Sequence, residues 1–213
     1  MLSSLFEKEI GYIFNDTLSE IVKKTLDDSP DCIEFIPASS SGKYHPKADL
    51  GEGGLVRHIK TVTAIAYSFF DSHVFRDMVL GKHADFETLQ VYQDAAIAAC
   101  ICHDCCKAKD DDEKHTTIFE HPLFAAELFK KTAKIYLTEN KSNISKEDMQ
   151  YMKAIIPLVY SAIASHMGKW NTSKYAKGIV LPEPKTGLDN FVHMCDYIAS
   201  RKFIDFNFEE YGE

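Results

Sequence analysis

The chain has 213 residues, of which 45% are hydrophobic and 26% charged, and a net charge of −8 with histidine neutral. This length and composition are typical of one soluble domain, or one domain with a small extension, with an ample core. The acidic balance argues against a general nucleic-acid binder, and no apolar run approaches the roughly 20 residues of a membrane helix.

Apolar residues at helical spacing predict six helices and only weak strand patterns. The predicted helices span about residues 4–27, 54–71, 89–102, 121 onward, 147–166 with a break or kink near Pro157, and 188–201. The stretch from Ala95 to Cys102 is apolar on all sides, which is typical of a buried central helix. Loops rich in glycine, proline or acidic residues separate these segments. The predicted fold class is therefore all-α, and the pattern shows no domain boundary.

Several histidine and aspartate side chains lie at predicted helix ends or on apolar helix faces. They are His58, His103, Asp104, His121, His166 and Asp196. Imidazoles and carboxylates that converge from several helices are the ligands that a hydrolytic metal ion needs. A lone histidine on an apolar face is more often a satisfied core residue, so each one is weak by itself. Asp196 is different because a carboxylate on an apolar face needs a partner, which is either a cation or an arginine such as Arg57 or Arg201.

The local contexts of these residues resemble the HD-domain phosphohydrolase superfamily. The segment Gly53-Gly54-Leu55-Val56-Arg57-His58 is similar to that family's Gly-Gly-Leu-x-x-His helix opening, and residues 98–107 are similar to its apolar helix that ends in His-Asp-x-x-Lys. Ser165-His166-Met167-Gly168 and His193-Met194-Cys195-Asp196 resemble segments of HD-type 3′-to-5′ exoribonucleases. The resemblance covers about residues 51–201. It departs at Cys106, where glycine is usual, and at Met167, where a second histidine is usual.

The resemblance implies an HD-domain helical bundle over residues 51–213, preceded by a helical N-terminal extension and loop over residues 1–50. The superfamily's minimal ligand set, which holds one metal ion, corresponds to His58, His103, Asp104 and Asp196. His121 and His166 match members that can hold two ions, such as the symmetrical diadenosine-tetraphosphate hydrolases, with Asp104 as the bridging ligand. The resemblance also implies that Lys107 binds a substrate phosphate. The alternative for Lys107 is a solvated side chain.

The loop after His166 offers further candidates for substrate binding. Trp170 could stack on a base, Lys169 and Lys185 could contact phosphate, and Asn171 is a further candidate in the same loop. The alternative for each of them is an ordinary position in a surface loop. We therefore predict a catalytic role for Asp104 and Lys107 and a substrate-binding role for Lys107 and these four loop residues.

The remaining histidines, cysteines and acidic residues receive structural interpretations. His193 could be a ligand, but it is expected to support the ligands rather than to bind metal, because Asp196 already fills the matched role. No sequence context supports a role for His45, His73, His83 or His115. Cys100 and Cys102 are interpreted as small buried apolar residues, because the C-x-x-C motif lacks a second ligand pair for zinc. The run from Asp110 to Glu113 is interpreted as a solvated loop. Reduced thiols and the lack of a recognisable signal peptide favour a cytoplasmic setting.

The predicted function is metal-dependent hydrolysis of a phosphoester or phosphoanhydride in a nucleotide or dinucleotide. One or two divalent ions would activate water and neutralise the phosphoryl oxygens. Mixed imidazole and carboxylate ligands suit Mn²⁺, Fe²⁺, Co²⁺ or Ni²⁺, and suit Mg²⁺ less. The alternatives are a 3′-to-5′ nuclease on single-stranded RNA or DNA and a non-enzymatic nucleotide sensor. The expected partner is a nucleotide-type small molecule, with nucleic acid as the alternative and no membrane, and the sequence gives no oligomeric state.

Overall fold

The structure is a computed structural model that describes residues 1–39, 42–81, 85–111, 116–174, 176 and 178–203. In these residues the chain forms eight α-helices and no strand, with one isolated β-bridge between Thr172 and Val180. The predicted all-α fold class is therefore confirmed. The helices are α1 (Glu7–Ile10), α2 (Asp16–Asp27), α3 (Gly54–Ser68), α4 (His73–Phe75), α5 (Phe86–Cys102), α6 (His121–Glu139), α7 (Lys146–Ser165) and α8 (Gly187–Ala199). His83, His115, Asp112 and Glu113 lie outside the described residues.

Helix α5 runs through the centre of the bundle, as its all-apolar stretch predicted. Every residue from Ala95 to Cys102 is buried, and the helix packs against α2, α3, α7 and α8. It begins a few residues earlier than predicted, because Asp85 caps it by accepting the backbone N–H of Thr88. The C-terminal end of α5 delivers His103 and Asp104 into the interior, where both are buried.

The prediction of one continuous helix over residues 4–27 is wrong. The segment is a 3₁₀ turn at Leu2–Phe6, the short helix α1, an irregular stretch and then α2. Asn15 starts α2 by accepting the N–H of Leu18, while Asp94 of the central helix accepts the N–H groups of Phe14 and Asn15. This buried carboxylate supplies the acceptors that a helix would have found in its own carbonyls, so the chain turns there.

The later helices follow the prediction closely. Helix α6 begins at His121 with proline in its first turn, and Thr186 and Asp189 form a capping box at the start of α8. Helix α7 continues through Pro157 without a break. Because proline has no backbone N–H, Pro157 cannot donate to the carbonyl of Lys153. Both residues are exposed, so water can donate to that carbonyl instead. A π-helical turn at Arg76–Leu80 was not predicted.

One hydrophobic core joins the N-terminal helices to the rest of the bundle. Phe6, Leu18 and Ile21 are fully buried and belong to the same cluster as the apolar residues of α5, α7 and α8. Helix α2 packs against both α5 and α6. In the part of the chain that the structure describes, no helix has the length and apolar character needed to cross a bilayer.

Candidate metal centre

Side chains from five parts of the fold meet beside the end of α5. His58 comes from α3, His103 and Asp104 follow α5, His121 opens α6, His166 follows α7 and Asp196 lies in α8. All of them are buried except Asp196, whose side chain is 17% exposed. The structure thus brings together the six residues that the sequence proposed as metal ligands.

Two glycines allow the loop before α3 to approach the start of that helix. Gly53 has a left-handed backbone conformation with φ of 68°, which favours glycine. A Cβ atom at Gly54 would lie 2.1 Å from the backbone oxygen of Asp49, so a larger residue would displace the loop. This close approach puts the buried Asp49 carboxylate 3.4 Å from Nδ1 of His58. The Gly-Gly sequence therefore helps to orient the first histidine of the site.

The other three histidines present the same ring nitrogen to the centre of the site. In His103, His121 and His166, Nδ1 donates to the backbone carbonyl three residues earlier, at 2.7, 2.6 and 2.8 Å respectively. Because a carbonyl only accepts hydrogen bonds, Nδ1 carries the proton and Nε2 keeps its lone pair. Metal-binding histidines are held in this way by donation from their other ring nitrogen.

One oxygen of Asp104 faces a first group of ligand atoms. Its Oδ2 lies 3.4 Å from Nε2 of His103 and 3.9 Å from Nε2 of His58. The same nitrogen of His58 lies 3.1 Å from Oδ1 of Asp196. We call His58, His103, Asp196 and Oδ2 of Asp104 the first ligand group. Lys107 also donates a hydrogen bond to this Asp104 oxygen.

The other oxygen of Asp104 faces a second group. Its Oδ1 lies 2.8 Å from Nε2 of His121 and 3.6 Å from Nε2 of His166, and these two nitrogens are 3.3 Å apart. We call His121, His166 and Oδ1 of Asp104 the second ligand group. With both Nδ1 atoms protonated, two nitrogen lone pairs and a carboxylate oxygen point at one another. That arrangement is unfavourable unless a cation or an additional proton lies among them.

Two buried atoms of the site have the chemistry that metal ligands need. Among the described residues, Nε2 of His103 and Oδ1 of Asp104 are buried and have no hydrogen-bond partner. An unsatisfied buried polar group costs about 1–3 kcal/mol. Both atoms are electron-pair donors, one in each ligand group, and a metal ion would satisfy both. The buried histidine and aspartate clusters could therefore hold a metal ion.

No protein-family model, curated protein or solved structure matches the chain. The chemistry of the site therefore rests on its own side chains. The described groups that could hold an ion offer imidazole nitrogens and carboxylate oxygens, and none of them contains a cysteine.

The charges in the site favour a bound cation. Burial raises the pKa of the Asp104 carboxyl, but Lys107 and the neighbouring imidazoles outweigh burial and bring the pKa well below its ordinary range. Burial also raises the pKa of Asp196, but its hydrogen bond to His58 and the surrounding imidazoles lower it. Burial lowers the pKa of His58, while Asp196 and Asp49 together raise it to about 9. The lowered pKa values of both carboxyls and the raised pKa of His58 have the same meaning, which is that this cluster stabilises positive charge.

Asp49 and His45, neither of which was predicted to have a role, lie beside His58. Oδ2 of Asp49 lies 3.4 Å from Nδ1 of His58 and 3.4 Å from Nδ1 of His45. Burial raises the pKa of Asp49, but the contacts with His45 and His58 outweigh burial and lower it. A carboxylate on the far nitrogen of a ligand histidine fixes the ring and increases its basicity. In the sequence, the Gly53-Gly54 pair indicates that another segment packs closely at the start of α3, but it does not identify Asp49 as the residue that does so.

A pocket of about 350 Å³ opens from the ligand groups to the surface. Its floor includes Asp104, His121, His166 and Asp196, and its walls include Lys107, Tyr44, His45, Trp170, Tyr197 and Arg201. A larger and more open groove of about 600 Å³ lies between Glu87 and Tyr151. Among its described lining residues it contains none of the six ligand candidates, so the smaller pocket is the relevant one.

The five predicted substrate-binding residues occupy different positions. Lys107 and Trp170 line the pocket, and Trp170 is 41% exposed. Lys169 is exposed, with Nζ 4.8 Å from the centre of the Trp170 ring. Asn171 is buried and donates a hydrogen bond within its own loop. Lys185 is exposed, and neither it nor Asn171 is among the described residues that line the pocket.

His193 contacts the backbone of the segment that carries His166. Its Nδ1 donates to the backbone oxygen of His166 at 2.7 Å, and its ring fills the space beside Gly168, where a Cβ atom would lie 2.3 Å from it. Gly168 also has a left-handed conformation with φ of 55°. His193 therefore supports the segment that carries His166. Arg57 and Arg201, the alternative partners for Asp196, donate to backbone carbonyls.

The cysteines beside the site are free thiols. Cys100, Cys102 and Cys105 are buried, and no disulfide joins any of the six cysteines of the chain. Burial raises the pKa of Cys102 well above its ordinary value, which makes this thiol a poor nucleophile and a poor ligand. This environment agrees with the interpretation of Cys100 and Cys102 as small buried apolar residues.

Proposed function

We propose that this protein is a metal-dependent phosphohydrolase with an HD-type active site. The observation that carries the proposal is the position of Asp104. Each of its oxygens faces a different group of imidazole nitrogens, at 2.8–3.9 Å, on the floor of an open pocket. A structural metal site would be closed by protein ligands, whereas a hydrolytic site keeps access for water and substrate.

The two ligand groups would hold one ion each, with Asp104 shared between them. Bound divalent ions supply two kinds of chemistry in such sites: they make water acidic near neutral pH and they neutralise phosphoryl oxygens. Mn²⁺, Fe²⁺, Co²⁺ and Ni²⁺ suit imidazole and carboxylate ligands better than Mg²⁺, which prefers an all-oxygen shell.

The protein's own residues provide the remaining functions. Asp104 and Asp196 carry the negative charge that draws cations to the floor of the pocket. The Lys107 ammonium, with a side chain that is 12% exposed, contacts Asp104, and Lys107 also lines the pocket. It is therefore positioned to exchange its contact with Asp104 for one with a substrate phosphate. The walls of the pocket bring aromatic and basic side chains to the same opening, which suits a nucleotide or dinucleotide substrate.

The test is metal analysis combined with a substrate panel. The purified protein is analysed by mass spectrometry for bound metals and then assayed with bis(4-nitrophenyl) phosphate, deoxynucleoside triphosphates, cyclic nucleotides and dinucleoside polyphosphates. We expect a transition metal to co-purify and at least one substrate to be hydrolysed in a metal-dependent way. Absence of metal together with retained nucleotide binding would favour the non-enzymatic sensor instead.

A 3′-to-5′ nuclease is the second candidate. The segment Ser165–Gly168 resembles HD-type exoribonucleases, and exposed Trp170 beside the pocket offers a surface on which a base of a single strand could stack. The net charge of −8 opposes tight binding of a long polyanion. Labelled single-stranded RNA and DNA in the same panel separate the two candidates.

A further inference from the structure

Four side chains form an aromatic and basic cluster on one wall of the pocket. We call Tyr44, Trp170, Tyr197 and Arg201 the mouth cluster, and all four line the pocket. The rings of Trp170 and Tyr197 stack with centres 5.3 Å apart and an interplanar angle of 15°. The guanidinium carbon of Arg201 lies 4.1 Å from the centre of the Tyr197 ring and 5.4 Å from that of Tyr44. The cluster is therefore a defined arrangement in which each member touches another.

Two of the three aromatic side chains of this cluster are exposed. Trp170 is 41% exposed and Tyr44 is 53% exposed. A single exposed aromatic residue is common on protein surfaces and has no special meaning. Here Trp170 and Tyr44 line the same pocket as the ligand groups, and the ring of Trp170 is already stacked on Tyr197. A planar ligand group could therefore stack on Trp170 without first ordering that side chain.

The lysine and the arginine that line the pocket lie at two separate places. Lys107 contacts Asp104 at the floor, while Arg201 stands in the mouth cluster. Nε of Arg201 donates to the backbone oxygen of Tyr197, and the ring of Tyr197 lies against the guanidinium, so the group is fixed in orientation. A planar guanidinium binds phosphate oxygens in pairs. Because Lys107 and Arg201 lie at separate places, they point to a ligand with two anionic groups. The net charge of −8 would otherwise repel such a ligand.

The volume of the pocket restricts the size of the ligand. At about 350 Å³, it lies at the small end of the range of about 300–1,000 Å³ that small-molecule sites occupy. A pocket of this size suits one nucleotide unit better than several nucleotides of a polymer.

We propose that the mouth cluster is the subsite for a nucleoside polyphosphate, with the base stacked on Trp170 and the phosphate next to the reacting one bound by Arg201. The proposal rests on the proposed function, because it assumes that the reacting phosphate lies at the two ligand groups. It makes Arg201 the residue that distinguishes nucleoside diphosphates from monophosphates. Trp170 distinguishes nucleotides from phosphates that lack a base.

The chain provides its own reporter for this subsite, because Trp170 is its only tryptophan. Tryptophan fluorescence of the full chain is titrated with ADP, AMP, adenosine and ribose 5-phosphate, both with Zn²⁺ and in chelator. The ADP titration is repeated with GDP, CDP and UDP. We expect saturable quenching by at least one nucleoside diphosphate, about tenfold weaker binding of the corresponding monophosphate and no quenching by ribose 5-phosphate.

Variants of Arg201 test the phosphate contact. In Arg201→Ala the preference for diphosphate over monophosphate should fall at least tenfold, and Arg201→Lys should be intermediate because it keeps the charge but loses the planar fork. Arg76→Ala is the matched control, since Arg76 is exposed and is not among the residues that line the pocket. Thermal melting verifies that each variant is folded. An unchanged preference in folded Arg201→Ala would overturn the role of Arg201.

Hydrolysis of any member of the substrate panel given under the proposed function, measured on the same preparation, separates the two proposals. Hydrolysis without any nucleotide-induced quenching would refute the subsite and leave the phosphohydrolase standing. Saturable quenching with the expected specificity but no hydrolysis would refute the enzyme and leave the subsite as a nucleotide-binding site.

Discussion

Replacing Asp104 with asparagine tests the two ligand groups most directly, because this residue is the one they share. The substitution keeps the size of the side chain and removes its negative charge. The imidazole nitrogens that would share an ion with Asp104 lie 2.8–3.9 Å from its oxygens. Opposite unit charges about 4 Å apart attract by about 4 kcal/mol at an effective dielectric constant of 20. That energy corresponds to about a thousandfold loss of metal affinity.

The first ligand group would keep three side chains in this variant, whereas the second would keep two imidazoles. We therefore expect bound metal to fall to one ion or fewer per chain, and hydrolysis to fall at least a thousandfold. Mass spectrometry measures the metal, and the shift of the melting temperature on addition of Mn²⁺ measures affinity independently of activity. The melting temperature in chelator serves as the control for folding. An Asp104→Asn protein with normal metal content and normal turnover would refute the assignment of Asp104 as the shared ligand.

Three further predictions address the surroundings of the site. Lys107→Ala should retain its metal but raise KM or lower kcat about tenfold through loss of a phosphate contact, measured by mass spectrometry and steady-state kinetics; unchanged kinetics would remove its substrate role. Gly168→Ala should be less stable than wild type by about 1–3 kcal/mol in urea unfolding, because its Cβ would lie 2.3 Å from an imidazole. Gly178→Ala is the control, because Gly178 has φ of 84° but open space around it, and this variant should lose less stability than Gly168→Ala. Metal affinity should rise between pH 7 and 9. The neighbouring carboxylates overcome burial and raise the pKa of His58 to about 9, so a metal ion must displace a proton there. A metal affinity that does not change over this pH range would contradict this reasoning.

The helices and the six candidate ligands could be predicted because their signals are local. Apolar spacing marks a helix within a few turns, and a histidine or aspartate on an apolar face is noticeable wherever it lies. The turn after α1 could not be predicted in this way. It depends on Asp94, which accepts hydrogen bonds from residues 79 and 80 positions earlier, and sequence spacing contains no information about that contact.

The residues that surround the ligands were harder to find for the same reason. Asp49 and Tyr44 belong to a loop whose path is set by the close packing of Gly54. Arg201 was considered only as a partner of Asp196, yet its orientation comes from the rings of the mouth cluster. Which way a loop side chain points is decided by tertiary packing, so its role becomes readable only in three dimensions.

The separation of the ligands along the chain has a consequence for the order in which the protein matures. His58 and Asp196 are 138 residues apart and meet at 3.1 Å, and the other ligands come from the helices between them. Such distant contacts form only after the intervening chain has collapsed. A nascent or partly folded chain would hold no more than fragments of the site. Uptake of a metal ion by the two ligand groups would therefore be the last event of maturation, and retention of the ion would mark a chain that has completed its fold.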